Sequence, residues 1–346
     1  MLRLLALAAL LPQLASAQTL PIDAALPIPG VRYSGVPVPE LVIGHRIGNR
    51  HTRADQIVTY FEAVDRVSDR VMVAKYGDSY EGRPMIYAVV TSPANHRRLA
   101  EIKKQNRRLR EDPASVSDAD VAKMPLILWM GYNVHGNEAS ASEAAILFLY
   151  HLAAGQGKSI DQALDECVIV IAPCYNPDGR DRFANWVNQN RGLNATSDTN
   201  DREHNEPWPG GRTNHYGYDL NRDWMPLTQV ESATRHPVWL DFYPQVTTDY
   251  HEQGSRATYF FQPGVPTRVH PLTPVKNQKL TEEIGHFHAR ALEAVGELGV
   301  AEPVEAQAEV ERELLVHLKC VGDEKTQLIG ALAAVDDGVE PGAVVR

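Results

Sequence analysis

Apolar residues fall along the chain in runs of two kinds. Continuous runs at 125–130 (PLILWM) and 168–172 (VIVIA) predict strands buried on both faces. Shorter runs at 71–75 and 85–91 read as two more strands, joined by Gly77-Asp78-Ser79 and Glu81-Gly82-Arg83. A further short strand is expected at 246–250. The helical period predicts helices over 52–67, 93–110, 138–152 and 274–298. The second of these is a charged surface helix and the third is dense in Ala and Leu. In the last, Leu280, Ile284, Phe287, Ala291, Val295 and Leu298 keep a three-four spacing. Thr273 and Pro274 suit its N-cap and first position, and Gly299 suits its stop. Strands alternating with helices predict an α/β fold, with a mixed, largely parallel central sheet flanked by helices. Two stretches lack either period. Residues 18–50 read as an extended lead-in, and 188–215 as a long polar loop of the kind that carries function.

The two ends differ from the body. Arg3, the apolar run from Leu4 to Leu11 and Ala15-Ser16-Ala17 form a signal-peptide pattern over 1–17, with cleavage expected after Ala17. That run is too short to span a bilayer, and no later stretch reaches the ~18 apolar residues a membrane helix needs. A secreted or periplasmic product is expected. From residue 300 the chain carries ten acids against four bases, and no aromatic residue follows Phe287. Residues 300–346 are therefore read as an atypical acidic tail, outside a domain spanning 51–299.

Composition adds exclusions. With 43% hydrophobic and 23% charged residues the chain is globular, not disordered. A net charge of −10 argues against nucleic acid or an anionic membrane surface as partner. Cysteine is scarce. Cys167 and Cys174 flank the 168–172 strand, and seven extended steps would separate them by roughly 23 Å, too far for a disulfide. Cys320 has no evident partner. Gly157-Lys158-Ser159 mimics the end of a phosphate loop, but Leu152 stands where its first glycine belongs.

Four short constellations could carry chemistry. His135-Gly136-Asn137-Glu138 follows the buried strand 125–130 at a strand-to-helix turn, the place where α/β sheets build sites. Imidazole nitrogen and carboxylate oxygen are zinc's usual catalytic ligands. Alone, an H-x-x-E pair is most often a solvated helix face. His251, in Asp249-Tyr250-His251, ends a second strand and offers a third ligand. Position 255 is Ser, so no H-E-x-x-H helix exists here. Asn221 and Arg222, in Asp219-Leu220-Asn221-Arg222-Asp223-Trp224, can hold a carboxylate through a guanidinium fork and an amide. Asn176-Pro177-Asp178-Gly179 leaves the 168–172 strand as a turn.

Taken in chain order, the four resemble the zinc carboxypeptidases of the carboxypeptidase A type, from about residue 60 to 298. The resemblance implies one catalytic zinc held by His135, Glu138 and His251. It implies that Asn221 and Arg222 bind the C-terminal carboxylate of a peptide substrate. It also implies an arginine after NPDG that polarises the scissile carbonyl; Arg191 fits best, with Arg180 and Arg182 as rivals. The activity so implied is that of a secreted zinc metallocarboxypeptidase, hydrolysing the last peptide bond of peptides through zinc-activated water. The family's general-base glutamate and lid tyrosine, both downstream of the third ligand, have no counterpart in apolar context. After His251 the only tyrosine is Tyr259, which comes too soon. The expectation is that the resemblance stops near Gly299 because the reading frame or gene is truncated. Two other readings use the same residues. One is a zinc-binding relative that only binds peptide C-termini. The other is an amidase of the same fold, acting on cell-wall peptides or N-acyl amino acids.

Overall fold

Strand and helix alternate along the computed structural model, which describes residues 31–194, 196–252 and 269–294. In chain order the elements are β1 (Arg32–Tyr33), α1 (Pro39–Ile43), α2 (Ala54–Asp65), β2 (Val71–Asp78) and β3 (Pro84–Val90). Then come α3 (Pro93–Arg97), α4 (Leu99–Glu111), α5 (Asp118–Val121), β4 (Leu126–Gly131), α6 (Ser140–Ala154), β5 (Gly155–Gln156) and α7 (Lys158–Glu166). The remainder are β6 (Cys167–Ala172), α8 (Pro177–Asn190), α9 (Val230–Phe242), β7 (Val246–Asp249) and α10 (Val275–Ala294).

The main sheet has the order β2-β3-β6-β4-β7. β4 pairs in parallel with both β6 and β7, while β3 runs antiparallel to β2 and β6. Four strands therefore point one way and β3 alone opposes them, so the sheet is mixed with a parallel half. The two continuous apolar runs became its centre: every residue of β4 and β6 is buried. Their side chains alternate between two cores. Leu126, Leu128 and Met130 face one side with α2 and α6, and Ile127 and Trp129 face the other with Ile102 and Phe242. Helix α6 is buried along its whole length, which accounts for its Ala and Leu content. Helix α2 buries Ala54, Ile57, Tyr60, Phe61 and Val64, the stripe of an amphipathic helix.

Several boundaries differ from expectation. The charged helix is broken at Arg98 (φ −116°, ψ 18°) into α3 and α4. Helix α6 begins at Ser140, not at Glu138, so both residues of the H-x-x-E pair lie in the turn before it. The lead-in contains a strand pair, β1 with β5, and the short helix α1. Helices α7, α8 and α9 were not expected, although α7 buries Ile160, Ala163 and Leu164 at helical spacing. The buried face of α9 is Glu231, Ser232, Arg235 and Phe242, and Pro237 lies inside it. Cys167 and Cys174 are both buried. The signal-peptide pattern, the tail from 300, Cys320, Tyr259 and the end of the last predicted helix lie outside the described residues. Among the described residues, no helix is long and apolar enough to cross a membrane.

Candidate metal centre

The parallel half of the sheet sets the site, because β4, β6 and β7 all end on the same edge. After β4 the chain turns through Asn133, whose φ of 58° lies in the left-handed region that Asn tolerates. Its amide donates to the carbonyls of His135 and Glu138, each at 2.8 Å. One side chain thus fixes the whole His135–Glu138 turn. Beyond β7, Tyr250 donates its backbone N–H to Gly131, and its ring stacks on Tyr132 with centroids 4.4 Å apart. The next residue, His251, is thereby delivered to the same edge.

His135, Glu138 and His251 each offer a ligand atom within 4.8 Å of the others. Nδ1 of His135 lies 2.7 Å from Oε1 of Glu138, and Nδ1 of His251 lies 2.9 Å from Oε2. The opposite nitrogens face carboxylates as well. Nε2 of His135 stands 2.9 Å from Asp219 and Nε2 of His251 stands 3.0 Å from Asp249. A neutral imidazole has one N–H, so each ring can serve one carboxylate as donor and turn a lone pair to the other. With Nε2 donating outward, both Nδ1 lone pairs and the Glu138 carboxylate converge. Two imidazoles and one carboxylate, with the rings oriented by outer carboxylates, fit a catalytic zinc ion. The charges agree. Burial works against ionised Glu138, but the two histidines outweigh it and hold its carboxyl down to about 2. Burial likewise disfavours charged His251, yet Asp249 and Glu138 raise it to about 10. For Asp219, burial is outweighed by His135, which keeps the carboxyl low.

The Asp219–Asp223 segment forms a short helical turn. Asp219 caps it by accepting from Asn221 N, and Leu220 is buried in the second core. Asp223 is buried and accepts from Thr228 and Gln229, which fixes the exit. Asn221 is thereby set with Nδ2 3.2 Å from Nε2 of His251, and its Oδ1 accepts from Trp224. Arg222 is exposed and meets only the carbonyl of Asn221, at 3.4 Å, among the described residues. An unpaired guanidinium beside the group is suited to an anionic ligand.

Arg191 is not brought to the group. It caps the C-terminus of α8 and its guanidinium donates to the carbonyl of Asn49. The 14 residues of α8 span about 21 Å and separate it from Asn176 at the site end. Arg180 is wholly buried and fully used, donating to Thr52, Ala139 and Glu143. Arg182 donates to backbone carbonyls of the 210–214 loop. The arginine at the group is Arg212, with Nη1 3.5 Å from Glu138 and Nη2 3.1 Å from Asp219. It lies inside the loop read only as polar, directly after Gly210-Gly211. Asp219 and Asp249 also went unassigned in the sequence. Each stands two residues before a site residue, a spacing that could have flagged them.

Three kinds of comparison bear on this geometry. The sequence model of the zinc carboxypeptidase family matches residues 57–269. Carboxypeptidase 2 of Trichophyton rubrum is 26% identical over 139 residues, 40% of this chain and 21% of that protein. Carboxypeptidase E of Caenorhabditis elegans is 26% identical over 187 residues, 53% of this chain and 31% of that protein. The chain thus spans a third or less of the length of these curated relatives. Among solved structures, a metallo-carboxypeptidase from Burkholderia cenocepacia aligns at TM-score 0.48 and 14% identity, over 79% of this chain and 69% of that one. Carboxypeptidase A from Helicoverpa armigera aligns at 0.43 and 13%, over 84% and 80%.

Proposed function

Because the chain belongs to the zinc carboxypeptidase family, we propose that it is a zinc metallocarboxypeptidase acting on the C-terminal bond of peptides, with His135, Glu138 and His251 as zinc ligands. The observation that carries this reading is the convergence of two imidazoles and one carboxylate at the ends of β4 and β7. When bound, zinc lowers the pKa of a water it holds and polarises a carbonyl. Asp219 and Asp249 orient the two imidazoles so that their Nδ1 lone pairs face inward. Arg222 binds the terminal carboxylate of the substrate, and Asn221 adds an amide donor beside it. That anchor would bring the last peptide bond to the His135, Glu138 and His251 group and exclude internal bonds, which have no carboxylate to offer. Arg212 takes the part the resemblance gave to Arg191, supplying positive charge where the carbonyl oxygen becomes anionic. An exported product belongs to this reading, from the signal-peptide pattern of residues 1–17.

One observation favours a second reading, a protein that binds peptide C-termini without turnover. Among the described residues, the other carboxylates at the group are engaged or shut away from solvent. Asp219 faces His135 and Arg212, Glu252 accepts from Ser140 N, and Asp249 gives one oxygen to His251 while its other oxygen is buried with no partner. A general base needs a carboxylate free to take a proton from water. Mass spectrometry of zinc-loaded protein incubated with peptides separates the two readings, using free and amidated C-termini side by side. Loss of the terminal residue from free peptides only, stopped by a chelator, supports the carboxypeptidase. Binding of free peptides without cleavage supports the binder, and cleavage of amidated and free peptides alike rejects both.

A further inference from the structure

Arg212 has little around its own side chain to hold it. Its side chain is 46% exposed, and its ion pairs with Glu138 and Asp219 are partly solvated, a situation in which such pairs hold weakly. Its position must come from its backbone. That backbone is gripped from two directions. On one side lie the first two turns of α8 and its cap, Asn176. Arg182 donates to Gly210 O at 2.7 Å, and to Thr213 O and Asn214 O at 3.4 Å, bracketing Arg212. Asn176 donates to the carbonyl of Arg212 itself at 3.1 Å. The approach is backbone on backbone: a Cβ on Gly211 would lie 2.5 Å from the carbonyl oxygen of Gly179. On the other side lies the metal-ligand turn. Glu206 accepts from Gly211 N through one oxygen, and from Asn137 Nδ2 at 3.0 Å through the other. Asn137 sits between His135 and Glu138, so Glu206 ties the loop to the ligands directly.

We propose that Arg182 and Glu206 are positioning residues, clamping the 206–214 loop between α8 and the His135–Glu138 turn so that the Arg212 guanidinium is held ready at the metal group. The inference rests on the role given to Arg212 above. A donor fixed before reaction need not reorganise as charge develops, and a supporting shell left loose forfeits that advantage. The clamp also accounts for two features the motifs alone do not explain. The glycine of NPDG leaves room for the loop, and Arg182, three residues on, is turned away from the site and into the loop's carbonyls.

The test uses the full chain in two states. In metal-free protein, amide hydrogen exchange is followed over 206–214 in wild type, Arg182→Gln and Glu206→Gln, with circular dichroism confirming the fold. Both variants are expected to speed exchange across this loop while α6 stays protected. In zinc-loaded protein, binding of a phosphinic peptide (a tetrahedral anion) is compared with binding of the corresponding C-terminal product by calorimetry. Each variant is expected to weaken the phosphinic peptide by about tenfold, within the range seen for residues that orient a site, while leaving product binding unchanged. In an Arg212→Ala background neither variant should weaken it further, and Arg182→Lys should restore part of the loss. Unchanged exchange at 206–214 overturns the clamp. So do losses that add to those of Arg212→Ala, which would mean a general structural role. If Arg212→Ala alone leaves phosphinic binding intact while exchange still rises in the clamp variants, the role of Arg212 has failed, and the clamp is only a structural tie.

Discussion

Arg212 presents Nη1 3.5 Å from Oε1 of Glu138, whereas Arg191 is spent on the carbonyl of Asn49 at the far end of α8. The two arginines therefore make opposite predictions. Arg212→Ala should lower kcat by roughly two to three orders of magnitude, as loss of an oxyanion donor does, with a smaller change in KM. Arg191→Ala should leave both within about twofold, since surface substitutions of this kind act weakly. Steady-state kinetics on one free-acid peptide decides between them, and the reverse ranking would return the role to Arg191.

On the proposed reading, Arg222 and Asn221 carry the exopeptidase character. Arg222→Ala removes a charge-assisted contact of about 1.5–3 kcal/mol, so KM for a free-acid peptide should rise roughly 10- to 100-fold. KM for the matching amide should hardly move, and the preference between the two should collapse. Equal effects on acid and amide would mean that Arg222 does not meet the carboxylate.

Much of this site was legible because its chemistry sits next to strong fold signals. PLILWM and VIVIA are continuous apolar runs that form the buried strands β4 and β6, and a sheet whose parallel strands end together opens its site at that edge. His135 and His251 each stand within a few residues of such an end. Arg212 was not legible for a physical reason. Its neighbours are Gly, Asn and Thr in a loop without period, and its place is fixed by backbone contacts to Gly179 and Arg182, which no spacing rule encodes. Helix α9 was missed because the face it buries is polar: Glu231, Ser232 and Arg235. Arg235 lies between the rings of Tyr175 and Trp224, so cation–π contact replaces the apolar stripe that periodicity looks for. Helix α8 was hidden by reading Asn176-Pro177-Asp178-Gly179 as a turn. The same residues are a helix start, with Asn176 accepting from Gly179 N and Pro177 in the first turn.

Asp219 should govern how firmly zinc is held, without being a ligand. Its carboxylate stands 2.9 Å from Nε2 of His135. Asp219→Asn keeps the shape and loses the charge, and outer-shell changes of this sort cost about 10- to 100-fold in metal affinity. His135→Gln and Glu138→Gln should cost far more, since each removes a ligand. Competition with a chromogenic chelator measures all three, and an Asp219→Asn affinity equal to wild type would remove Asp219 from the site.

The buried pair Arg180–Glu143 should matter for stability out of proportion to an ordinary ion pair. The two side chains are 0% and 2% exposed and meet at 2.6 Å. Glu143 also accepts from the N–H and hydroxyl of Thr52, and Arg180 holds the carbonyl of Ala139 beside Glu138. Glu143→Ala leaves a buried, uncompensated guanidinium, at a cost of about 3–5 kcal/mol. Asp161→Ala, which removes a half-exposed carboxylate while Arg70 keeps the carbonyls of Leu152 and Gly155, should cost less than about 1 kcal/mol. Urea unfolding of both variants gives the contrast, and similar losses would refute it.

His151 supplies a pH dependence whose sign can be worked out. It is buried in α6, with Nδ1 2.8 Å from the hydroxyl of Tyr33, and burial lowers it from 6.5 to about 4. Between those values the unfolded chain takes up a proton that the native state refuses. Its contribution is therefore complete above pH 6.5, falls as the pH drops towards 4, and levels off below. His151→Gln keeps an acceptor for Tyr33 but cannot titrate. Its unfolding free energy should decline less steeply than wild type between pH 6.5 and 4, although His51, also buried and lowered to about 3, leaves a residual slope in both. Denaturant titrations at half-unit pH steps give the difference between the two curves. Parallel curves across that window would show that His151 stays neutral in both states or charges in both, and that its burial does not couple to folding.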